Sequence, residues 1–438
     1  MRVLLHGSDL RGHLRVYMAV IAGSLADDGH EVFVCLGENS SCKSDTDWNE
    51  QLPRTKSIFV LDIDPQLTGE TVDGINHVID ENQIDQLLMC DADGLAPALV
   101  EMADGMRGRF HCPAQGIFAF TADWYPGESM YFPLPMSLGA RVLKGLRALK
   151  YSMDPKHPTT IQKREQRRLF DHALLDKNVL DGLICKDERL AIRYPDRFQW
   201  MPEIFGDIEE GEQDPLADAE LPILDAMRSA QQSGRPILLF YGTGNWYKGY
   251  DFFLELAARD PECLAVHIGL PERNVRKRVF AFDTVANRQR LLDQNRLLQS
   301  GCFATNAMTD LAFQLINVYV SVHRLSGSSG TVLSAAAAGT PILSPNQGLL
   351  GFNTRQYHLG ATYQAMNIDD MTRRWNMFKH VSKETFAKSL REFSDKNSRQ
   401  SAEQFFRDSV KRVGDNATRQ ANCQSSENNS VINDPAAS

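Results

Sequence analysis

The residues of this chain best suited to chemistry sit in loops where glycine and serine interrupt apolar runs. From Leu315 to Val322 an apolar, β-branched run predicts a buried strand, and the small residues from Thr331 to Ala338 predict a helix stopped by Gly339 and Pro341. Between them lies His323-Arg324-Leu325-Ser326-Gly327-Ser328-Ser329-Gly330. A glycine-serine loop feeding a helix N-terminus collects backbone N–H groups and hydroxyls in one place, and the helix dipole adds positive potential there. Phosphate is the anion such a place suits. An ordinary strand-to-helix turn has the same composition, and a short motif alone does not separate the two readings.

A second loop of this kind, Gly242-Thr243-Gly244-Asn245-Trp246-Tyr247-Lys248-Gly249, follows the predicted strand Ile237 to Tyr241 and precedes the apolar helix Tyr250 to Ala258. Its single lysine, at the start of the helix, could meet a phosphate as a point charge. Near the N-terminus, Gly7 to Gly12 and His13 join a strand at residues 2 to 5 to a helix carrying Leu14, Met18, Ile21 and Leu25, capped by Gly29. Ligands of open α/β sheets bind at the carboxyl ends of strands, which would place Gly12 and His13 beside a ligand. Two Asp-x-Asp triplets, Asp62-Ile63-Asp64 and Asp91-Ala92-Asp93, could hold Mg²⁺ on a diphosphate but read better as solvated strand ends. Arg141, Lys144, Arg147 and Lys150 recur at every third residue beside Val142, Leu143, Leu146 and Leu149. That pattern gives either a core helix with a wet face or a membrane-surface helix.

The elements that must position these loops alternate strand and helix throughout. Further strands are predicted at Glu31 to Leu36, Ser57 to Leu61, Gln86 to Cys90, Gly116 to Thr121, Val179 to Cys185 and Leu264 to Gly269, and another glycine loop at Asn346 to Gly351. The acidic, turn-rich stretch 206–221 reads as a linker, and the basic run Pro271 to Arg278 as a solvated face. With 438 residues, two or three domains are expected. After Ser382 the pattern is helical to Val413, with Phe386, Leu390 and Phe393 on one stripe and Ser401 with Gln404 as a capping box. The polar segment beyond Gly414 is expected to be disordered. A net charge of −9 argues against a nucleic-acid partner, which would require a basic footprint. The apolar runs are too short for a leader or a membrane span, so a cytoplasmic protein is expected, and the eight scattered cysteines read as reduced thiols without a metal site.

Residues 235–365 resemble the large retaining family of nucleotide-sugar glycosyltransferases, family 4. Gly242 and Lys248-Gly249 match that family's phosphate loop, and Ala335 with Ala338-Gly339-Thr340-Pro341 matches its later Glu-Ala, Ala-x-Gly-x-Pro segment. Gly12-His13 and Gly29-His30-Glu31-Val32 look like its opening. The resemblance implies an α/β chain of the GT-B fold, two Rossmann-like domains facing each other across a cleft, with C-terminal helices crossing back. The implied division is an acceptor-side domain at 1–205, a linker at 206–235, a donor domain at 236–380, helices at 381–414 and a tail at 415–438.

The implied activity is transfer of a sugar from a nucleotide-diphosphate donor to a hydroxyl of a glycan or lipid-linked acceptor, in polysaccharide or glycolipid biosynthesis. Retention of anomeric configuration is implied, with no metal and no cofactor beyond the nucleotide-sugar co-substrate. The resemblance places His13, Lys248 and Ser326 at the reacting centre, and Gly12, Gly242, Thr243, Gly327, Ser328, Ser329, Gly330, Thr331 and Ser334 around the donor. Peripheral contact with the inner face of the membrane through 141–150 is compatible with it. Three residues depart from the family pattern. Thr243 replaces a phosphate-binding Arg, and Ser326 and Ser334 replace two Glu residues, the first near the donor sugar and the second on the ribose. Two other readings therefore stand beside transfer. One is a non-catalytic GT-B protein that binds a nucleotide or glycan. The other is an epimerase of the same fold, for which no cluster of acid/base residues is visible.

Overall fold

The computed structural model describes residues 1–7, 13–37, 52, 54–61, 68–118, 167–203, 215–270, 281–324, 327 and 329–431. They fall into two compact units. The first comprises the described residues up to 203 together with those from Arg399 onward, and the second those from 215 to Ser398.

Unit 1 alternates strand and helix through β1 (Arg2–Gly7), α1 (His13–Asp27), β2 (Glu31–Gly37), β3 (Ser57–Leu61), α2 (Thr68–Asn82) and β4 (Gln86–Met89). It continues with α3 (Ala96–Ala103), β5 (Ala114–Phe118), β6 (Gly182–Cys185), α4 (Glu188–Arg193) and β7 (Phe198–Trp200). The strands make one parallel sheet in the order β3-β2-β1-β4-β5-β6-β7. Strands that read as continuous apolar runs can be buried on both faces, which a parallel sheet flanked by helices requires. The expected strands appear with shifted ends: Val179 and Leu180 are buried residues ahead of β6, and Thr121 lies outside the described residues. The last helix, Arg399–Val431, belongs to this unit although it follows unit 2 in sequence. Its Ala402, Phe406 and Val410 pack with Met18 and Ile21 of α1. The Ser409 hydroxyl donates to Gln115 Oε1 at 2.8 Å, and the Gln115 amide returns a bond to the Ser409 carbonyl.

Unit 2 runs through α5 (Leu221–Gln232), β8 (Ile237–Tyr241), α6 (Tyr250–Arg259), β9 (Leu264–Ile268), α7 (Thr284–Asp293), β10 (Leu297–Gln299) and α8 (Asn306–Leu315). Then come β11 (Tyr319–Val320), α9 (Gly330–Ala337), β12 (Ile342–Pro345), α10 (Gly348–Gln356), β13 (Gly360–Tyr363), α11 (Ile368–Phe378) and α12 (Ala387–Lys396). Two parallel three-stranded sheets, β10-β9-β8 and β11-β12-β13, lie with β11 beside β8. Strand order thus reverses between β8 and β11, and a reversal of this kind opens a crevice at the strands' carboxyl ends.

Several expectations need correction. The apolar run Leu315 to Val322 is not all strand: Leu315 closes α8, Ile316 caps it, and only Tyr319–Val320 form the strand. Both elements need buried apolar residues, so hydrophobicity did not mark the boundary. Gly348 to Gly351 are the first turn of α10 rather than loop. Ser401 and Gln404 lie inside the last helix, which starts at Arg399, so they are not its cap. The same helix continues to Val431, where disorder was expected. A helix anchored by packing propagates cheaply, and no proline interrupts it before Pro435. The triplet at 62–64, the basic pattern at 141–150, the run 271–278 and most of the linker lie outside the described residues.

Candidate anion site of unit 2

The strand β8 is followed by Gly242, whose φ of +98° turns the chain across the sheet edge. Gly242 N–H donates to the Ile268 carbonyl at 2.7 Å, and Gly244 N–H to the Leu270 carbonyl at 2.9 Å, so the loop is tied to the end of β9. It then folds on itself. Asn245 Oδ1 accepts from Lys248 N–H at 3.1 Å, Gly249 N–H donates to the Trp246 carbonyl at 3.0 Å, and Gly249 opens α6 with a φ of +74°.

This turn brings the Lys248 side chain back over the start of the loop. Its ammonium lies so close to Gly242 that a Cβ there would stand 2.3 Å from Nζ. Burial lowers the Lys248 pKa from its ordinary value. Among the described residues no carboxylate pairs with it. Its titratable neighbours are histidines, not acids. His267 of β9 sets Nε2 2.9 Å from the Gly242 carbonyl. A carbonyl only accepts, so Nε2 carries the proton, while Nδ1 faces the Gln299 amide at 3.4 Å. Burial pushes His267 down to about 4. His323, beyond β11, has Nδ1 3.1 Å from the Ser321 hydroxyl, and burial with the nearby Lys248 charge pushes it down to about 3. At neutral pH both rings are uncharged, and Lys248 is left as a desolvated cation.

Helix α9 supplies the other half of the edge. Its N-cap, Ser329, makes no side-chain capping bond. The hydroxyls nearby are partly spent. Thr331 Oγ1 accepts from Tyr319 OH at 2.7 Å and sits 2.8 Å from Ser329 Oγ, and Ser334 Oγ turns back to the Gly330 carbonyl at 3.4 Å. The Thr331 hydroxyl therefore belongs to the core, whereas Ser334 is held to its own helix only by a long bond. The backbone of Gly330 opens the helix.

Of the residues singled out in sequence, Gly242, Thr243 and Lys248 share one loop, and Ser329, Gly330, Thr331 and Ser334 share the start of α9. Gly327 is half-buried ahead of that helix. Gly12, Ser326 and Ser328 lie outside the described residues. His13 is the first residue of α1, in unit 1, and its side chain lies outside them too. His267, His323 and Arg324 went unrecognised. The signal for His267 was a lone histidine in the apolar strand Leu-Ala-Val-His-Ile. In unit 1, Asp91 and Asp93 are half-buried rather than solvated. Their carboxylates, with that of Glu203, act on Lys186, whose ammonium lies 3.9 Å from the centre of the Tyr17 ring.

No family model and no curated protein matches the sequence. Solved structures do match in fold. Sucrose-phosphate synthase from Thermosynechococcus elongatus superposes with a TM-score of 0.56 at 12% identity, covering 94% of this chain and 99% of that one. HepE from Anabaena, solved in complex with UDP, gives 0.59 at 11% identity over 94% and 99%. WaaG, a glycosyltransferase involved in lipopolysaccharide biosynthesis, gives 0.52 at 14% identity over 92% and 99%. The chain shares their fold, which is GT-B.

Proposed function

We propose that this GT-B chain is a glycosyltransferase that moves a sugar from a nucleotide-diphosphate donor to a hydroxyl of a glycan or lipid-linked acceptor. The observation that carries the reading is Lys248: a desolvated ammonium without a carboxylate partner among the described residues, at the carboxyl edge where strand order reverses. Lys248 is half-buried, and a partly desolvated cation without a counter-charge gains when an anion arrives to meet it. A diphosphate fits that place, and the HepE relative was solved with UDP and with UDP-glucose. Unit 2 takes the donor role in this reading, and unit 1 the acceptor role.

Breaking the bond from the sugar to the diphosphate leaves negative charge on the leaving oxygen. Lys248 and the uncapped N-terminus of α9 would hold that charge in place as it develops, the kind of preorganised stabilisation that lowers such barriers most. Thr243 in place of the family Arg leaves one cationic side chain fewer in the loop. Retention at the anomeric carbon, with His13 near the donor sugar, and independence from metals remain part of the proposal, as does a place in polysaccharide or glycolipid synthesis.

Calorimetric titration with UDP, GDP and their sugars tests the site. One nucleotide should bind, and Lys248→Ala should weaken it by about 1.5–3 kcal/mol, the usual worth of a charged hydrogen-bond donor. Absence of binding by any of them at millimolar concentration would sink the donor site.

A further inference from the structure

Arg324 is fully buried, and its contacts converge on the loop that carries Lys248. Its N–H donates to the Tyr247 carbonyl at 2.9 Å. The guanidinium carbon lies 4.9 Å from the centre of the Trp246 ring and 5.4 Å from that of Phe252. Nη2 donates to Oδ2 of Asp251, an equally buried residue in the first turn of α6, and the same oxygen accepts Ala281 N–H at 2.8 Å. Among the described residues, Nε and Nη1 of Arg324 have no hydrogen-bond partner. Trp246, Tyr247 and Asp251 flank Lys248 and Gly249, and six residues beyond Arg324 the chain enters α9.

Apolar residues of similar volume could fill this space without the cost of desolvating two charges, so the pair is weak evidence for stability. What a buried, directional pair can supply is a single register for the parts it joins. We propose that the Arg324–Asp251 pair is a positioning device, which holds Lys248 against Gly242 and couples its loop to the segment leading into α9. The geometric claim stands by itself; only the identity of the anion that benefits, a nucleotide diphosphate, rests on the function proposed above.

The test uses the full chain carrying Arg324→Met with Asp251→Asn. This variant removes both charges together, keeps an acceptor for Ala281 N–H and leaves no uncompensated buried charge. Lysines are reductively methylated with ¹³C, and the Lys248 signal is assigned by its loss in Lys248→Arg. In wild type the signal should titrate below those of the exposed lysines, because burial disfavours the charged form. In the variant it should move up by about one pH unit as the side chain is released toward solvent. UDP affinity should fall about tenfold, and Lys248→Ala should then cost less than about threefold more, since the contact is already lost.

A folded variant with an unchanged Lys248 titration overturns the positioning role, whatever happens to UDP. If the titration moves but wild type binds no UDP, the positioning role stands and the nucleotide reading falls. Arg324→Lys, which keeps the charge but not the planar stack on Trp246, serves the same titration should the double variant not fold.

Discussion

Lowering the pH from 7 to 5.5 is expected to destabilise unit 2 by about 2–3 kcal/mol, in a range where ordinary carboxylates remain ionised. The cause is the pair of buried neutral rings beside Lys248. His267 is held down to about 4 and His323 to about 3, whereas in the unfolded chain both return to 6.5. Below pH 6.5 the unfolded chain therefore takes up protons that the folded one refuses. Their contribution is complete above pH 6.5 and is lost progressively as the pH falls toward 4 and then 3. Each ring accounts for about 1 kcal/mol over the window from 7 to 5.5.

Unit 1 should lose about half as much, since His6 is its one strongly buried histidine among the described residues. Burial pushes His6 down to about 4, and among the described residues Nδ1 has no partner to share an added proton. His30, lowered more modestly by burial, adds in the same direction. Urea unfolding followed by hydrogen exchange and mass spectrometry reads the two units separately. His323→Asn should remove about half of unit 2's dependence. Stability that stays flat from pH 7 to 5.5 in both units would refute the assignment of neutral buried rings.

Replacing Gly249 by alanine is expected to cost unit 2 on the order of 3 kcal/mol and to abolish the nucleotide binding proposed for it. Two effects add. The φ of +74° places any L side chain in the left-handed region, and a Cβ there would stand 2.0 Å from the Val322 carbonyl oxygen. That oxygen is backbone at the end of β11, so the loop must move, and Lys248 moves with it. Gly234 supplies the control. Its φ is +73°, but open space surrounds it, so Gly234→Ala should cost only the strain of about 1 kcal/mol. Equal losses for the two variants in urea unfolding would show that the Val322 contact is not tight.

The difference between these glycines also marks how far sequence reading reaches. Both read as breakers between a helix and a strand. Only the neighbour across the sheet edge distinguishes a turn glycine from one pressed against another loop. The same holds for the hydroxyls around α9. Composition shows Ser329, Thr331 and Ser334 at a helix start, where all could face a ligand. The structure commits Thr331 to Tyr319, from which it is separated by twelve residues, and turns Ser334 to its own helix. Side chains that find partners from distant strands do so through register, which no local pattern encodes.

Arg324 and Asp251 show the limit most plainly. A lone aspartate in the apolar helix Tyr250–Arg259 and an arginine after an apolar run are each unremarkable in sequence. They are 73 residues apart and meet because β11 lies beside β8.

What the sequence determined by itself is the class of the fold. Apolar runs such as Leu264–Ile268 and Gly182–Cys185 read as strands buried on both faces, helices of 3.6 periodicity alternate with them, and glycine loops at their ends suit an anion. These features follow from local spacing, and local spacing is legible. The tertiary structure alone decided which loops stand together, that Lys248 is pressed on Gly242 with no carboxylate partner among the described residues, that two histidines beside it are neutral, and that a buried ion pair lies against the same loop. Each of these depends on burial and on contacts between residues far apart in the chain, and such contacts are fixed only once the strands have taken their order.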